Sequence, residues 1–78
     1  MPKSIFSAGQ FKLQNLLKSM REDAGFTQAA LAKKLKRPQS FVSKYESGER
    51  RLDLIELHEN CKSLNISLVD FVRQFERL

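Results

Sequence analysis

Thr27-Gln28-Ala29-Ala30-Leu31-Ala32-Lys33-Lys34-Leu35-Lys36-Arg37-Pro38-Gln39-Ser40-Phe41-Val42-Ser43-Lys44-Tyr45-Glu46 reads as two short helices joined by a tight turn. Thr27 suits an N-cap, and Phe26 and Leu31 stand at the N′ and N4 positions of a hydrophobic staple. The Glu expected three residues after such a cap is missing; Ala30 occupies that place. The first helix ends near Leu35. The second starts at Pro38, a residue tolerated in a first turn, where the backbone N–H has no helical partner. It stops at Ser47-Gly48. With Gln28 as the first position of the motif, Ala32 is the fifth, where the helices cross closest and a small side chain is needed. Val42 and Tyr45 then face a core. Gln39, Ser40, Ser43 and Lys44 point outward near the start of the second helix. The arrangement is a helix-turn-helix candidate.

Working outward, Phe11 to about Asp23 carries a helical stripe of Leu13, Leu16, Leu17, Met20 and Ala24, closed by Gly25. Asp53 with Glu56 three residues on forms a capping box, followed by Leu54, Leu57, Cys61 and Leu64 on one side. Ser67 opens a last helix, with Asp70 in a similar relation and a stripe of Leu68, Phe71, Val72 and Phe75. No run alternates with period two as a strand would. The expected fold is all-α: five short helices in one compact domain over about residues 10–78, with the motif at about 27–46. Residues 1–9 are an N-terminal arm or an extension of the first helix.

Seventy-eight residues allow one small domain. A chain of this size buries only about 60 % of its unfolded surface, leaving little room for a deep catalytic pocket. At 41 % hydrophobic and 29 % charged, the composition excludes disordered and collagen-like classes. The net charge of +5 favours an anionic partner, and it is unevenly placed. Eleven of the fourteen Lys and Arg, but five of the nine Asp and Glu, precede Leu54, so the positive excess surrounds the motif. A single cysteine, Cys61, excludes an internal disulfide framework and a cysteine-based zinc site, and fits a reducing cytoplasm. No apolar run is long enough to span a bilayer, and the first residues lack the apolar core of a secretory signal. Neither a metal site nor a cofactor site is indicated.

The major groove of duplex DNA is about 12 Å wide and admits one α-helix, whose N-terminal residues reach the bases. Gln pairs with adenine N6 and N7, Lys donates to guanine O6 and N7, and Ser serves either. Lys33, Lys34, Lys36 and Arg37 precede the second motif helix, and Arg50 and Arg51 follow it. Cations so placed suit backbone phosphates, which position a protein without specifying sequence.

The run Leu17-Lys18-Ser19-Met20-Arg21-Glu22-Asp23-Ala24-Gly25-Phe26-Thr27-Gln28, then Ala30-Leu31-Ala32, then Gln39-Ser40-Phe41-Val42-Ser43-Lys44-Tyr45-Glu46-Ser47-Gly48-Glu49-Arg50, resembles the Xre/Cro-type helix-turn-helix domain of phage repressors and small bacterial regulators. The likeness extends over about residues 12–75. It implies a five-helix, lambda-repressor-like fold that binds double-stranded DNA in a sequence-specific way. It further implies that Gln28 holds a phosphate and buttresses the reading helix. Gln39 is then a base reader able to hydrogen-bond Gln28, and Ser40, Ser43 and Lys44 are variable reading positions. Arg50 and Arg51 touch phosphates from a loop, and Arg21 and Glu46 form a structural ion pair. Two positions depart from the family pattern. Lys36 stands where Gly is common, at a cost of roughly 1 kcal/mol if its φ is positive. Pro38 stands where a Ser or Thr cap is usual.

Several residues allow a plainer role. Phe41 either packs or touches a thymine methyl, with packing favoured. Cys61, on an apolar stripe, is a structural thiol rather than a redox sensor. His58 is a surface residue. Glu56 and Glu59 serve as cap and solvated face rather than as acid–base catalysts. The Lys33–Arg37 cluster is either a solvated face or a phosphate contact. Val69 and Leu78 exceed what one core face needs; they are either ordinary core with a frayed end or a dimer surface. The resemblance, whose small stand-alone members commonly pair through their C-terminal helices, implies a homodimer through the helix around Leu68–Leu78. The leading expectation is a cytoplasmic transcriptional regulator; the alternative is a protein-interaction module, such as the partner of a toxin. No nucleophile–base pair, metal set or phosphate-cradling Gly loop supports an enzyme.

Overall fold

The computed structural model describes residues 7–78 and consists there of five helices and no strand: α1 (Ala8–Asp23), α2 (Gln28–Leu35), α3 (Gln39–Ser47), α4 (Leu54–Ser63) and α5 (Leu68–Arg77). Most helix starts follow from local chemistry. The Thr27 side chain accepts from the Ala30 N–H, Asp53 and Glu56 close their reciprocal capping box, and Ser67 accepts from the Asp70 N–H. Two boundaries differ from the sequence reading. Helix α1 begins at Ala8, because the Ser7 hydroxyl accepts from Gln10 N–H and supplies a cap ahead of the apolar stripe. Residues 8 and 9 therefore belong to α1, and residues 1–6 lie outside the described part. Pro38 precedes α3 rather than opening it: its ψ of 153° is extended, it makes no side-chain cap, and the first helical residue is Gln39.

Three helix ends share one geometry. Gly25, Lys36 and Asn65 each have positive φ, and the following residue's N–H reaches back to the carbonyl five residues before it: Phe26 to Arg21, Arg37 to Ala32, Ile66 to Cys61. This is the Schellman closure of a helix, which wants Gly or Asn at the left-handed position. Lys36 alone of the three carries an unsuited side chain.

The core gathers Leu17, Met20, Leu31, Ala32, Phe41, Val42, Tyr45, Cys61, Leu64 and Phe71. Ala32 and Val42, 2 % and 0 % exposed, meet where α2 crosses α3. Helix α1 packs on α3 and α5, and α4 packs on α2 and α5, while among the described residues nothing covers the side of α3 that carries Gln39, Ser40 and Lys44. Tyr45 and Asn60 form the polar pair of the interior: the Tyr45 hydroxyl donates to Asn60 Oδ1 at 3.3 Å. Burial pushes that phenol up to about 12. Cys61 is buried in the core, and burial raises its thiol as well, away from reactive thiolate. Among the described residues no helix is long and apolar enough to cross a membrane, and no cluster of His, Cys, Asp and Glu could hold a metal ion.

Candidate nucleic-acid interface

Helix α3 divides along its length. Phe41, Val42 and Tyr45 are buried; Gln39, Ser40 and Lys44 are exposed, and Ser43 is half-buried. The exposed set lies in the first two turns.

Its C-terminal end is anchored by Glu46. Glu46 Oε2 accepts from Arg21 Nε at 2.8 Å, and Oε1 accepts from Arg21 Nη2 at 3.1 Å and from Gln28 Nε2 at 3.0 Å. Arg21 also donates to the Phe26 carbonyl at 2.7 Å. The Glu46 backbone carbonyl accepts from Gln14 Nε2 at 3.3 Å. One residue of α3 thus ties that helix to two residues of α1 and one of α2. Both charged groups are shielded, with side chains 8 % and 4 % exposed, and a buried pair is tolerated when every donor and acceptor finds a partner.

The same contacts orient the other end of the helix. A carboxylate accepts only, so Glu46 draws the Gln28 amide nitrogen toward itself and turns Gln28 Oε1 away. Gln39 Nε2 approaches that oxygen at 3.5 Å, the long limit of a hydrogen bond. Gln39 keeps its Oε1 and a second N–H free of these partners.

Phe41 packs. It is 8 % exposed and meets Tyr45 edge to face at 5.5 Å, so its ring does not extend outward with Gln39 and Ser40, and contact with a thymine methyl is set aside. The guanidinium carbons of Arg37 and Arg50 lie 4.6 and 4.8 Å from the ring centroid. Arg50 is not a free loop cation. Its Nη1 and Nη2 donate to Glu56 Oε1 and Oε2 at 2.8 and 2.7 Å, and Nη1 also donates to the Arg51 carbonyl at 2.8 Å. Arg37 Nη2 lies 3.7 Å from Glu56 Oε2. Glu56 is both the capping-box acid of α4 and the counter-ion of this cluster. The Arg50 hydrogen bonds, with help from the Asp53 N–H and the Arg37 charge, pull its carboxyl down to about 2. Lys36, Lys33, Lys34 and Arg51 are exposed.

Gln14, Glu56 and Asn60 hold the site without having been singled out for these roles in the sequence. Gln14 and Asn60 are polar residues on otherwise apolar helix faces, which is the one signal they gave. His58 and Glu59 are exposed, and no buried acid–base pair involves them.

Two short helices crossing at a small residue, the second presenting a polar N-terminal tip beside clustered cations, define a helix-turn-helix protein. The chain belongs to that family, whose profile matches residues 17–71. It is 43 % identical to an XRE-family like protein from Pseudomonas syringae pv. tomato str. DC3000, over 96 % of this chain and 92 % of that one, with a TM-score of 0.86. The wild-type restriction-modification controller protein C.Esp1396I is 28 % identical over 91 % of each chain, with a TM-score of 0.83. Its tetramer in complex with its natural 35 base-pair operator matches at 28 % identity over 91 % of this chain and 93 % of that one, with a TM-score of 0.82. Among curated proteins none matches.

Proposed function

We propose that the chain is a sequence-specific, duplex-DNA-binding transcriptional regulator that reads the major groove with α3. The observation that carries this is the split character of α3: a buried face locked to α1 and α2, and an uncovered first two turns holding Gln39, Ser40 and Lys44. A helix about 10–12 Å across fits a groove about 12 Å wide. Gln39, with one amide hydrogen directed at Gln28, offers an oxygen and a second hydrogen, the pair that adenine N6 and N7 require. Ser40, Ser43 and Lys44 read neighbouring bases. Gln28, Lys36, Arg37, Arg50 and Arg51 meet phosphates on either side, and the N-terminus of α2 adds partial positive charge.

The regulator acts in the cytoplasm as a homodimer and requires no cofactor; its role is binding rather than catalysis. Helix α5 supports the dimer. Val69, Val72 and Leu78 are exposed, and Leu68, Val69 and Val72 line a shallow apolar groove edged by Arg73 and Glu76. The resemblance to a controller protein that assembles as a tetramer on its operator agrees with this reading.

Selection of binding sites from random duplexes tests it. The expected product is a pair of half-sites roughly 10 base pairs apart, centre to centre. Gln39→Ala then loses preference at one position in each half-site, by about 1–3 kcal/mol, while Arg51→Ala weakens all sequences alike. No enrichment at low salt would transfer the case to a protein-partner role.

A further inference from the structure

We infer that Glu56 is a positioning residue for DNA binding: together with the Arg51 carbonyl it grips the Arg50 guanidinium so that one complete two-hydrogen edge is left for a backbone phosphate. The inference rests on the DNA-binding reading above and concerns a residue outside the reading helix.

A guanidinium has five N–H groups in a fixed plane. Glu56 takes one hydrogen from Nη1 and one from Nη2, the end-on pair, and the Arg51 carbonyl takes the second hydrogen of Nη1. What remains is Nε–H and the Nη2–H parallel to it. Among the described residues neither has an acceptor. These two hydrogens form the side-on fork, which matches two oxygens of a phosphate. The Arg50 side chain is 39 % exposed, and its guanidinium rests against the ring of Phe41, a residue of the first turn of α3. The grip is itself fixed: Glu56 is 11 % exposed and also accepts from the Asp53 N–H at 3.1 Å, so it belongs to the rigid first turn of α4.

Charge alone argues the other way, since a carboxylate beside a phosphate-facing cation repels DNA. Geometry offsets this. A loose arginine surrenders its rotamer freedom on binding, whereas Arg50 has surrendered it on folding. Removing the negative charge of Glu56 therefore weakens DNA binding.

The test is fluorescence anisotropy of a selected duplex over a salt series, with wild type, Glu56→Gln, Glu56→Asp, Arg50→Lys and the Glu56→Asp/Arg50→Lys double variant. Circular dichroism confirms that each is folded at the assay temperature. Glu56→Asp keeps the charge and withdraws the carboxylate by one methylene. Arg50→Lys keeps the charge, loses the fork and leaves the capping box intact. The expected result is binding roughly tenfold weaker for each single variant. The slope of log affinity against log salt falls by about 0.9 in Glu56→Gln and Glu56→Asp, where Arg50 leaves the phosphate, but stays at its wild-type value in Arg50→Lys, whose ammonium still neutralises it; the double variant binds no more weakly than either single variant. Wild-type affinity in Glu56→Asp, tighter binding by Glu56→Gln, or additive losses in the double variant would overturn the inference while wild type still bound DNA. Failure of wild type to bind any duplex would overturn the DNA-binding reading itself and this inference with it.

Discussion

Lys36 holds the turn of the motif at φ 59° and ψ 43°, a conformation that a β-carbon disfavours. Its side chain has no packing to compensate, being exposed. Lys36→Gly is expected to stabilise the fold by about 0.5–1 kcal/mol, measured by urea unfolding. Glu56 gives a second expectation, in pH. Its folded carboxyl lies at about 2 against an ordinary 4.5, so the unfolded chain binds the proton more readily. The stabilisation it contributes is complete above about 4.5 and disappears as pH falls toward 2. Thermal unfolding across that window should show wild type losing more stability than Glu56→Gln, which has no proton to gain there. At this scale the caps were legible, because Thr27, Asp53 and Ser67 act on backbone within three residues. The Arg50–Glu56 grip was not legible, because it needs the α3–α4 loop closed in one particular way. Phe41, for which packing was favoured, is placed by its burial and by its edge-to-face contact with Tyr45.

The elements are held by a few polar side chains acting over long sequence distances. Gly48 ends α3 at φ 89°, and a β-carbon there would stand 2.8 Å from Gln14 Oε1, the group whose partner nitrogen holds the Glu46 carbonyl. Gly25 ends α1 at φ 82° with nothing within 4 Å of the same position. Each Gly→Ala change incurs a conformational penalty of about 1–2 kcal/mol, but only Gly48→Ala also displaces Gln14. Gly48→Ala should therefore lower the unfolding free energy more than Gly25→Ala does. Arg21→Ala, which leaves Glu46 shielded without its main partner, should cost about 3–5 kcal/mol in the same measurement. Helix positions were readable from periodicity, but the stripes were only partly so: Leu54 and Val72, read as core-facing, are exposed. The start of α1 was not readable, since Ala8, Gly9 and Gln10 carry no apolar signal and Ser7 alone marks the boundary. The Arg21–Glu46 pairing entered through family resemblance; its further bonds to Gln14 and Gln28 are tertiary and leave no local trace.

Among the described residues the cations around the motif and the exposed valines of α5 lie on different elements, although Leu54 and Ile55 at the start of α4 are exposed as well. The cationic residues 33, 34, 36, 37, 50 and 51 flank α3, while the exposed valines lie on α5 and exposed Leu78 caps its C-terminus. One surface is suited to an anionic polymer and the other to a second copy of the chain. Analytical ultracentrifugation at micromolar concentration should give the dimer mass for wild type and the monomer mass for Val72→Glu, with helix content retained. A wild type that stays monomeric throughout would remove α5 from the account. The excess of apolar residues on α5 was visible in the sequence; their exposure required knowing that Phe71 is the side chain of that helix fully enclosed by the core.

Amide chemical shifts recorded while a selected duplex is added locate the contact surface residue by residue. The large changes should fall on Gln39, Ser40, Ser43 and Lys44, with Gln28, Arg50 and Arg51 at their margin. Changes confined to α5, with residues 39–44 undisturbed at saturation, would contradict DNA reading by α3.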